Sequence, residues 1–230
     1  MSTRHVFVTG ATGYLGRALV PALQARGHTV RALVRPGSER RLPAGVAFVH
    51  GDALDAASYA AHVAPADTLV QLVGVPHPSP SKAPAFERVD RVSGLAAVAA
   101  ARAAGVRHLV YVSVAQPAPV MRAYVAVRAA VEAEIRAAVS DESHALPGAT
   151  VLRPWYVLGP GHRWADALRP MYALLRQLPS TRDGAVRLGL VTYADMIAAL
   201  VHAVEAPAAG VRVVDVPAIR GAGKMHKVLV

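Results

Sequence analysis

The stretch HVFVTGATGYLGRALV, residues 5–20, constrains this chain more than any other. An apolar run passes into three glycines, Gly10, Gly13 and Gly16, and helical spacing begins at once, with Leu15, Leu19 and Leu23 at i, i+4 and i+8. A plain strand-to-helix turn needs one glycine. Three at this spacing take separate roles: Gly10 allows the tight turn, Gly13 lets the backbone approach a pyrophosphate, and Gly16 lets the helix pack close to the sheet. The free N–H groups of the helix start then face the phosphate. Thr12, Tyr14 and Leu15 share this loop and belong to the same expected contact set.

The strand–helix alternation then repeats along the chain. HTVRALV, VAFVHGD and TLVQLVG read as the second, third and fourth strands, HLVYVSV as the fifth and ATVLRPWYV as the sixth. The spacing predicts helices over Tyr14–Arg26, bent at Pro21, over Phe86–Ala104 and over Met121–Val139. Residues 75–85, with four prolines, read as a loop. Near the end, RLGLVTYADMIAALVHAVE gives a short strand and a helix, and VRVVDVPAI a late strand. The pattern implies an α/β fold, a doubly wound, Rossmann-like parallel sheet covered on both faces. Residues 1–230 form a single domain on this reading, with a small C-terminal substrate lobe built mainly by 160–195. Ligands of such sheets sit at the carboxyl ends of the strands, where the glycine loop, the proline loop, Ser113 and RPWYVLGPG all fall.

The tip of the second strand bears on which dinucleotide binds. A fold that takes NAD would place an acid there for the ribose 2′-hydroxyl. Here the strand ends in ALVRPGS, and Arg35 stands 19 residues after Gly16. A guanidinium can fork onto a 2′-phosphate, so the expected cofactor is NADP(H) in preference to NAD(H). The formal net charge of +10 comes from 22 Arg and 3 Lys against 15 acids, scattered rather than clustered. With aromatics at 5%, no basic aromatic face for nucleic acid is visible, and an anionic cofactor is the simplest partner for some of the charge. The absence of cysteine removes disulfides, thiolate catalysis and Cys-ligated metal, and the ten His show no metal spacing. No signal-like segment opens the chain and no 18-residue apolar stretch occurs, so a soluble cytoplasmic protein with a small-molecule substrate is expected.

These residues resemble the short-chain dehydrogenase/reductase superfamily, on its extended or atypical side. TGATGYLG is similar to that family's TGxxGxxG. HGDALD resembles its segment after the third strand, which implies Asp52 on the adenine with Ala53 beside it. LVG resembles the end of its fourth strand, which implies Val73 and Gly74 along the adenosine ribose. TVLRPWYVLGPG resembles its segment beside the nicotinamide, which brings in Pro154. YVAVRAAVEAEI resembles YxxxK followed by a Glu four residues on, and LVTYADMIAALVHAVEAP a late segment of the family. The resemblance reaches to about Ile219.

Two departures bear on chemistry. The family's Tyr-Lys pair is here Tyr124 and Arg128, one helical turn apart. Arg128 could supply charge and ribose contacts, but a guanidinium stays protonated and cannot relay a proton. The usual catalytic hydroxyl, two residues beyond Ser113, is Ala115. The resemblance thus implies a catalytic set of Tyr124, Ser113 and Arg128, with Ser113 and Arg128 also touching cofactor. Trp155, Tyr156, Arg163 and Trp164 are candidates for a substrate pocket with an apolar wall and one anion anchor. Asp90 reads as an exposed helix acid and Asp195 as a structural residue at a helix start, either an N-cap or the holder of a loop hydrogen bond. His77 reads as an ordinary loop histidine.

The expected activity is hydride transfer from NADPH to a small carbonyl, enone or quinone-type substrate, with Tyr124 as general acid. Two alternatives stand beside it. One is a non-catalytic NADP(H)-binding regulator or assembly factor, which the two departures favour. The other is a nucleotide-sugar epimerase or reductase, for which the lobe is short.

Overall fold

The computed structural model describes residues 2–141, 146–160, 175, 177 and 179–228. The first strand, β1 (His5–Thr9), is followed by α1 (Gly16–Gln24) and β2 (Thr29–Val34). β3 (Ala47–His50) and β4 (Thr68–Gln71) come next, and the loop after β4 holds two short helical turns, Pro80–Lys82 and α2 (Ala83–Ala85). A π-helical turn, Phe86–Arg91, leads into α3 (Val92–Ala103) and then β5 (His108–Val112). α4 (Arg122–Ser140), β6 (Gly148–Leu152), β7 (Tyr156–Leu158) and α5 (Pro179–Arg187) follow. β8 (Leu190–Thr192), α6 (Tyr193–Glu205), β9 (Gly210–Val214) and α7 (Val216–Val228) complete the described chain.

Seven strands form one parallel sheet in the order β3-β2-β1-β4-β5-β6-β9, and β7 and β8 pair in a second, two-stranded sheet. Every ladder is parallel, from His5 opposite Thr29 to Gly148 opposite Gly210. Both faces are covered. Val6, Val8, Val70 and Val110 pack with α1, α6 and α7 through Leu19, Leu23, Leu200 and Ile219. Phe7, Leu69, Leu109 and Tyr111 point the other way, onto α3 and α4 through Ala97, Ala101, Val131 and Ile135. This period-2 division is why the strands read as near-continuous apolar runs. The strand order reverses between β1 and β4, and a crevice opens at such a switch point.

Four sequence-based boundaries change. α1 begins at Gly16 rather than Tyr14, because Gly10 takes φ +76° and the Gly13 N–H turns back to the Gly10 carbonyl at 3.0 Å. The helix runs on through Pro21. The sixth strand divides in two: Pro154 has no N–H to continue the ladder, its carbonyl accepts from Ala115 N–H at 2.9 Å, and the chain re-forms as β7 in the other sheet. The helix expected from Phe86 is π-helical for its first six residues. Val216–Ile219, read as strand, opens helix α7 and buries Val216 and Ile219. Of the lobe expected over 160–195, residues 161–174, 176 and 178 lie outside the described residues.

Candidate active site

A cavity of about 780 Å³ lies along the carboxyl ends of the strands. Gly10, Gly13, Tyr14 and Leu15 line its middle, Arg35, Arg41, Asp52 and Ala53 one end, and Val75, His77, Ser113, Tyr124, Arg128 and Trp155 the other. The volume falls in the range of cofactor and ligand sites, roughly 300–1,000 Å³.

The middle is shaped by missing side chains. A Cβ on Gly10 would stand 3.0 Å from the Leu72 carbonyl carbon and the Val73 nitrogen, and one on Gly13 would stand 3.1 Å from the Gly10 oxygen. One on Gly16 would press into the backbone of Gly10 and Ala11, so that glycine brings the helix onto the turn rather than facing the cavity. α1 starts without a side-chain cap at Leu15. The N–H groups of its first turn therefore carry the positive end of the helix toward the cavity. The Gln71 side chain steadies the opposite wall, accepting from Val73 N–H at 3.1 Å and from the Thr9 hydroxyl.

At the first end, Arg35 follows β2 directly, and Arg41 joins it in the wall. Arg41 was not singled out by sequence; the short helical turn Glu39–Arg41 folds it back. Glu39, the acid between them, is occupied elsewhere: its Oε1 accepts from Gly37 N–H at 2.9 Å and lies 2.5 Å from His50 Nε2. Asp52 supplies the carboxylate of this end, and its Oδ1 also accepts from Leu54 N–H at 2.9 Å.

At the other end, side chains from distant elements meet. Tyr124 on α4 packs its ring 4.9 Å from Phe86, and the Arg128 guanidinium carbon lies 5.1 Å from its centroid. Arg128 is buried. It donates through Nη1 to the Val112 carbonyl at 2.7 Å and to the Tyr111 hydroxyl at 3.3 Å, and through Nη2 to Asp90. Burial alone would weaken this cation, but Tyr124, Tyr111 and Asp90 beside it shift it the other way, so it stays charged. Asp90 is fully buried rather than exposed, which corrects the sequence reading. Burial pushes its carboxyl upward, while Arg128 and the Val75 N–H oppose that push.

Ser113 is also committed inward. Its hydroxyl donates to Glu132 Oε1 at 2.6 Å. The same carboxylate accepts from Gln116 Nε2 at 2.7 Å, from Arg153 Nε at 2.9 Å and from Arg136 at 3.3 Å. Burial pushes Glu132 up, but Arg153, Ser113 and Arg136 outweigh it and hold the carboxyl below its usual range. An ionised carboxylate cannot donate, so the single Ser113 proton goes to Glu132 and the cavity meets only oxygen lone pairs. Glu132 was visible in sequence only as the acid four residues past Arg128.

Pro154 and Trp155 line the cavity, and Val157 joins them. Tyr156, the alternate residue of β7, instead packs on Leu158 and Leu190. Arg163 and Trp164 lie outside the described residues. Asp195 closes a reciprocal cap on α6: its N–H donates to the Thr192 hydroxyl at 3.1 Å, and that hydroxyl donates back to its carboxylate at 2.6 Å.

The family described as NAD(P)H-binding matches residues 10–156, which spans the glycine loop, Arg35, Tyr124 and the RP segment. The chain belongs to this family. It is 37% identical over 233 aligned residues to the 3-diazoavenalumate denitrifying reductase of a Streptomyces species, covering 90% of this chain and 74% of that protein. It is 32% identical over 212 to the ceramide reductase of Caulobacter vibrioides, covering 89% of this chain but 62% of that protein. In fold it is similar to an Agrobacterium tumefaciens short-chain dehydrogenase/reductase solved with bound NAD, with TM-score 0.65 and 19% identity over 94% of this chain and 81% of that one. The glycine cradle fits a pyridine dinucleotide, and the coarse function is that of an NAD(P)-dependent oxidoreductase. Among the described residues no helix is long and apolar enough to cross a membrane.

Proposed function

We propose that the protein is an NADP(H)-dependent reductase acting on a small, apolar carbonyl, enone or quinone-type substrate. One observation carries the reading: a single cavity runs from the Arg35–Arg41 end, past the glycine loop, to Tyr124. With a pyrophosphate at Gly13 and the α1 N-terminus, the adenosine half extends toward Asp52, Ala53, Val73 and Gly74. Arg35 and Arg41 then take the 2′-phosphate by charge-assisted hydrogen bonds. The other half extends toward Ser113, Arg128 and Pro154. When bound, the reduced nicotinamide supplies the hydride.

The walls around Tyr124 favour an apolar reactant. Val75, Val89, Trp155 and Val157 give that end an apolar lining. Tyr124 is the hydroxyl donor toward the reacting oxygen, because Ser113 gives its proton to Glu132. Arg128 holds α4 against β5 and faces the Tyr124 ring, without exchanging a proton. The reductase names of both relatives support hydride transfer as the reaction type.

A second reading of the substrate is favoured by two groups near Tyr124 that have no proton to give: Ser113, whose hydroxyl donates to Glu132, and Arg128, which stays protonated. A cationic electrophile is neutralised by hydride and needs no proton from the protein. The relative named for a diazo compound supports this reading.

One experiment tests both. NADPH and NADH are titrated by fluorescence, and NADPH oxidation is followed with benzaldehyde, cinnamaldehyde, menadione and an arenediazonium salt. On the first reading, Tyr124→Phe lowers turnover of the carbonyl and quinone probes roughly 10²–10⁴-fold. Its NADPH affinity stays within about twofold of the parent. Turnover that survives the change, with the diazonium salt preferred, selects the second reading. Equal affinity for the two cofactors would sink the 2′-phosphate assignment.

A further inference from the structure

The cavity wall near Tyr124 depends on a residue that does not line it. Asp90 sits in the π-helical turn Phe86–Arg91 and is fully buried. One carboxylate oxygen takes Arg128 Nη2 from α4, and the other takes the Val75 N–H, at 3.0 Å, from the loop after β4. The same turn supplies Phe86, whose ring meets Tyr124, and Val89, which faces the cavity. Such turns are rare and cluster at functional sites. Gly74 makes room for the junction: a Cβ there would stand 2.9 Å from Asp90 Oδ1 and nearer still to Arg128 Nη2. Beyond Val75 the bracing continues, since Lys82 Nζ donates to the Pro76 carbonyl at 2.7 Å and to the His77 carbonyl at 2.9 Å.

We propose that Asp90 is a positioning residue: its carboxylate joins Arg128 on α4 to the backbone at Val75, and so fixes as one unit the wall that receives the nicotinamide half of the dinucleotide. Asp90 bonds the loop after β4 at Val75, so its loss falls on the nicotinamide half and reaches the adenosine half only through the backbone at Gly74. Arg128 and Val75 lie at the Tyr124 end, while Arg35, Arg41 and Asp52 lie beyond the glycine loop. This inference rests on the dinucleotide reading of the cavity and adds a residue that touches neither cofactor nor substrate.

The test compares two ligands on Asp90→Asn: NADPH, and adenosine 2′,5′-bisphosphate, which lacks the nicotinamide half. NADPH should bind about tenfold more weakly, while the bisphosphate stays within about twofold of the parent. Hydrogen exchange at Val75 should speed up without ligand present. Where Asp90→Asn does not fold, Asp90→Glu keeps the charge opposite Arg128 but lengthens the arm and displaces its bond to the Val75 N–H. It should show the same split. Equal weakening of both ligands, or no weakening of NADPH with unchanged exchange at Val75, would overturn the proposal. A parent protein that binds neither ligand would refute the cofactor reading instead, and the exchange rate at Val75 would still decide whether Asp90 holds the loop.

Discussion

Gly10, Gly13 and Gly16 shape the middle of the cavity by what they lack, whereas Tyr124, Arg128 and Ser113 shape its far end by what they hold. In the first region the backbone does the positioning. Around Gly13 and Gly16 the critical atoms lie within a few residues of one another, and a Cβ on Gly16 would meet the Ala11 Cα at 2.5 Å. In the second, side chains from β5, α4 and the π-turn meet the loop after β4 and the chain after β6. The first region should therefore fail when an atom is added, and the second when a partner is removed.

The largest expected effect is at the far end. Glu132→Ala leaves Arg153 and Arg136 without their shared carboxylate, and breaking a buried ion pair this way costs about 3–5 kcal/mol. Urea unfolding reads the loss; a change inside error would mean that the network is not what holds α4 to β6. Next comes a control remote from both regions. His108 and Thr150 pair across β5 and β6, at 3.0 Å. Burial, helped by Arg212 and Arg4, lowers the His108 pKa from 6.5 to about 4. The unfolded chain then takes up this proton first as pH falls, so the contribution is complete above about 6.5 and declines toward about 4. The loss amounts to ~3 kcal/mol. His108→Asn should flatten that part of the stability-against-pH curve, and an unchanged slope would assign it to other groups.

Smaller effects test the glycine-loop region and the Arg35 end. Gly16→Ala should cost roughly 1–3 kcal/mol from overpacking and weaken NADPH and adenosine 2′,5′-bisphosphate together. Unequal weakening would blur the division between the two regions. The smallest change is Arg35→Ala, which should reduce any preference for NADPH over NADH by about tenfold, ~1.4 kcal/mol. A preference that persists in Arg35→Ala and vanishes in Arg41→Ala would move the phosphate contact one turn along the chain.

The same division explains what could be read in advance. TGATGYLG carries its meaning in local spacing, so the loop, the parallel sheet and the strand-tip position of Arg35 were all legible. The departure at Arg128 was legible too. Its consequence was not, because Asp90 reaches Arg128 across 38 residues and by way of a π-turn that no simple periodicity announces. Asp90 looked like a helix-surface acid because charged residues flank it on the helix; the i→i+5 winding carries it inward instead. The Ser113–Glu132 bond was hidden for a related reason. Both residues were in view, but nothing in their spacing says which way one hydroxyl proton points.

The Tyr193 hydroxyl donates to the Tyr14 carbonyl at 2.6 Å, and the two rings lie 4.8 Å apart. These residues are 179 positions apart in the chain. Contacts that distant close late, after local structure has formed. A growing chain can thus lay down β1, α1 and most of the sheet while its glycine loop still lacks the tyrosine that latches it. The most local motif in the sequence therefore reaches its final shape only through a tertiary contact, when β8 and α6 dock against it.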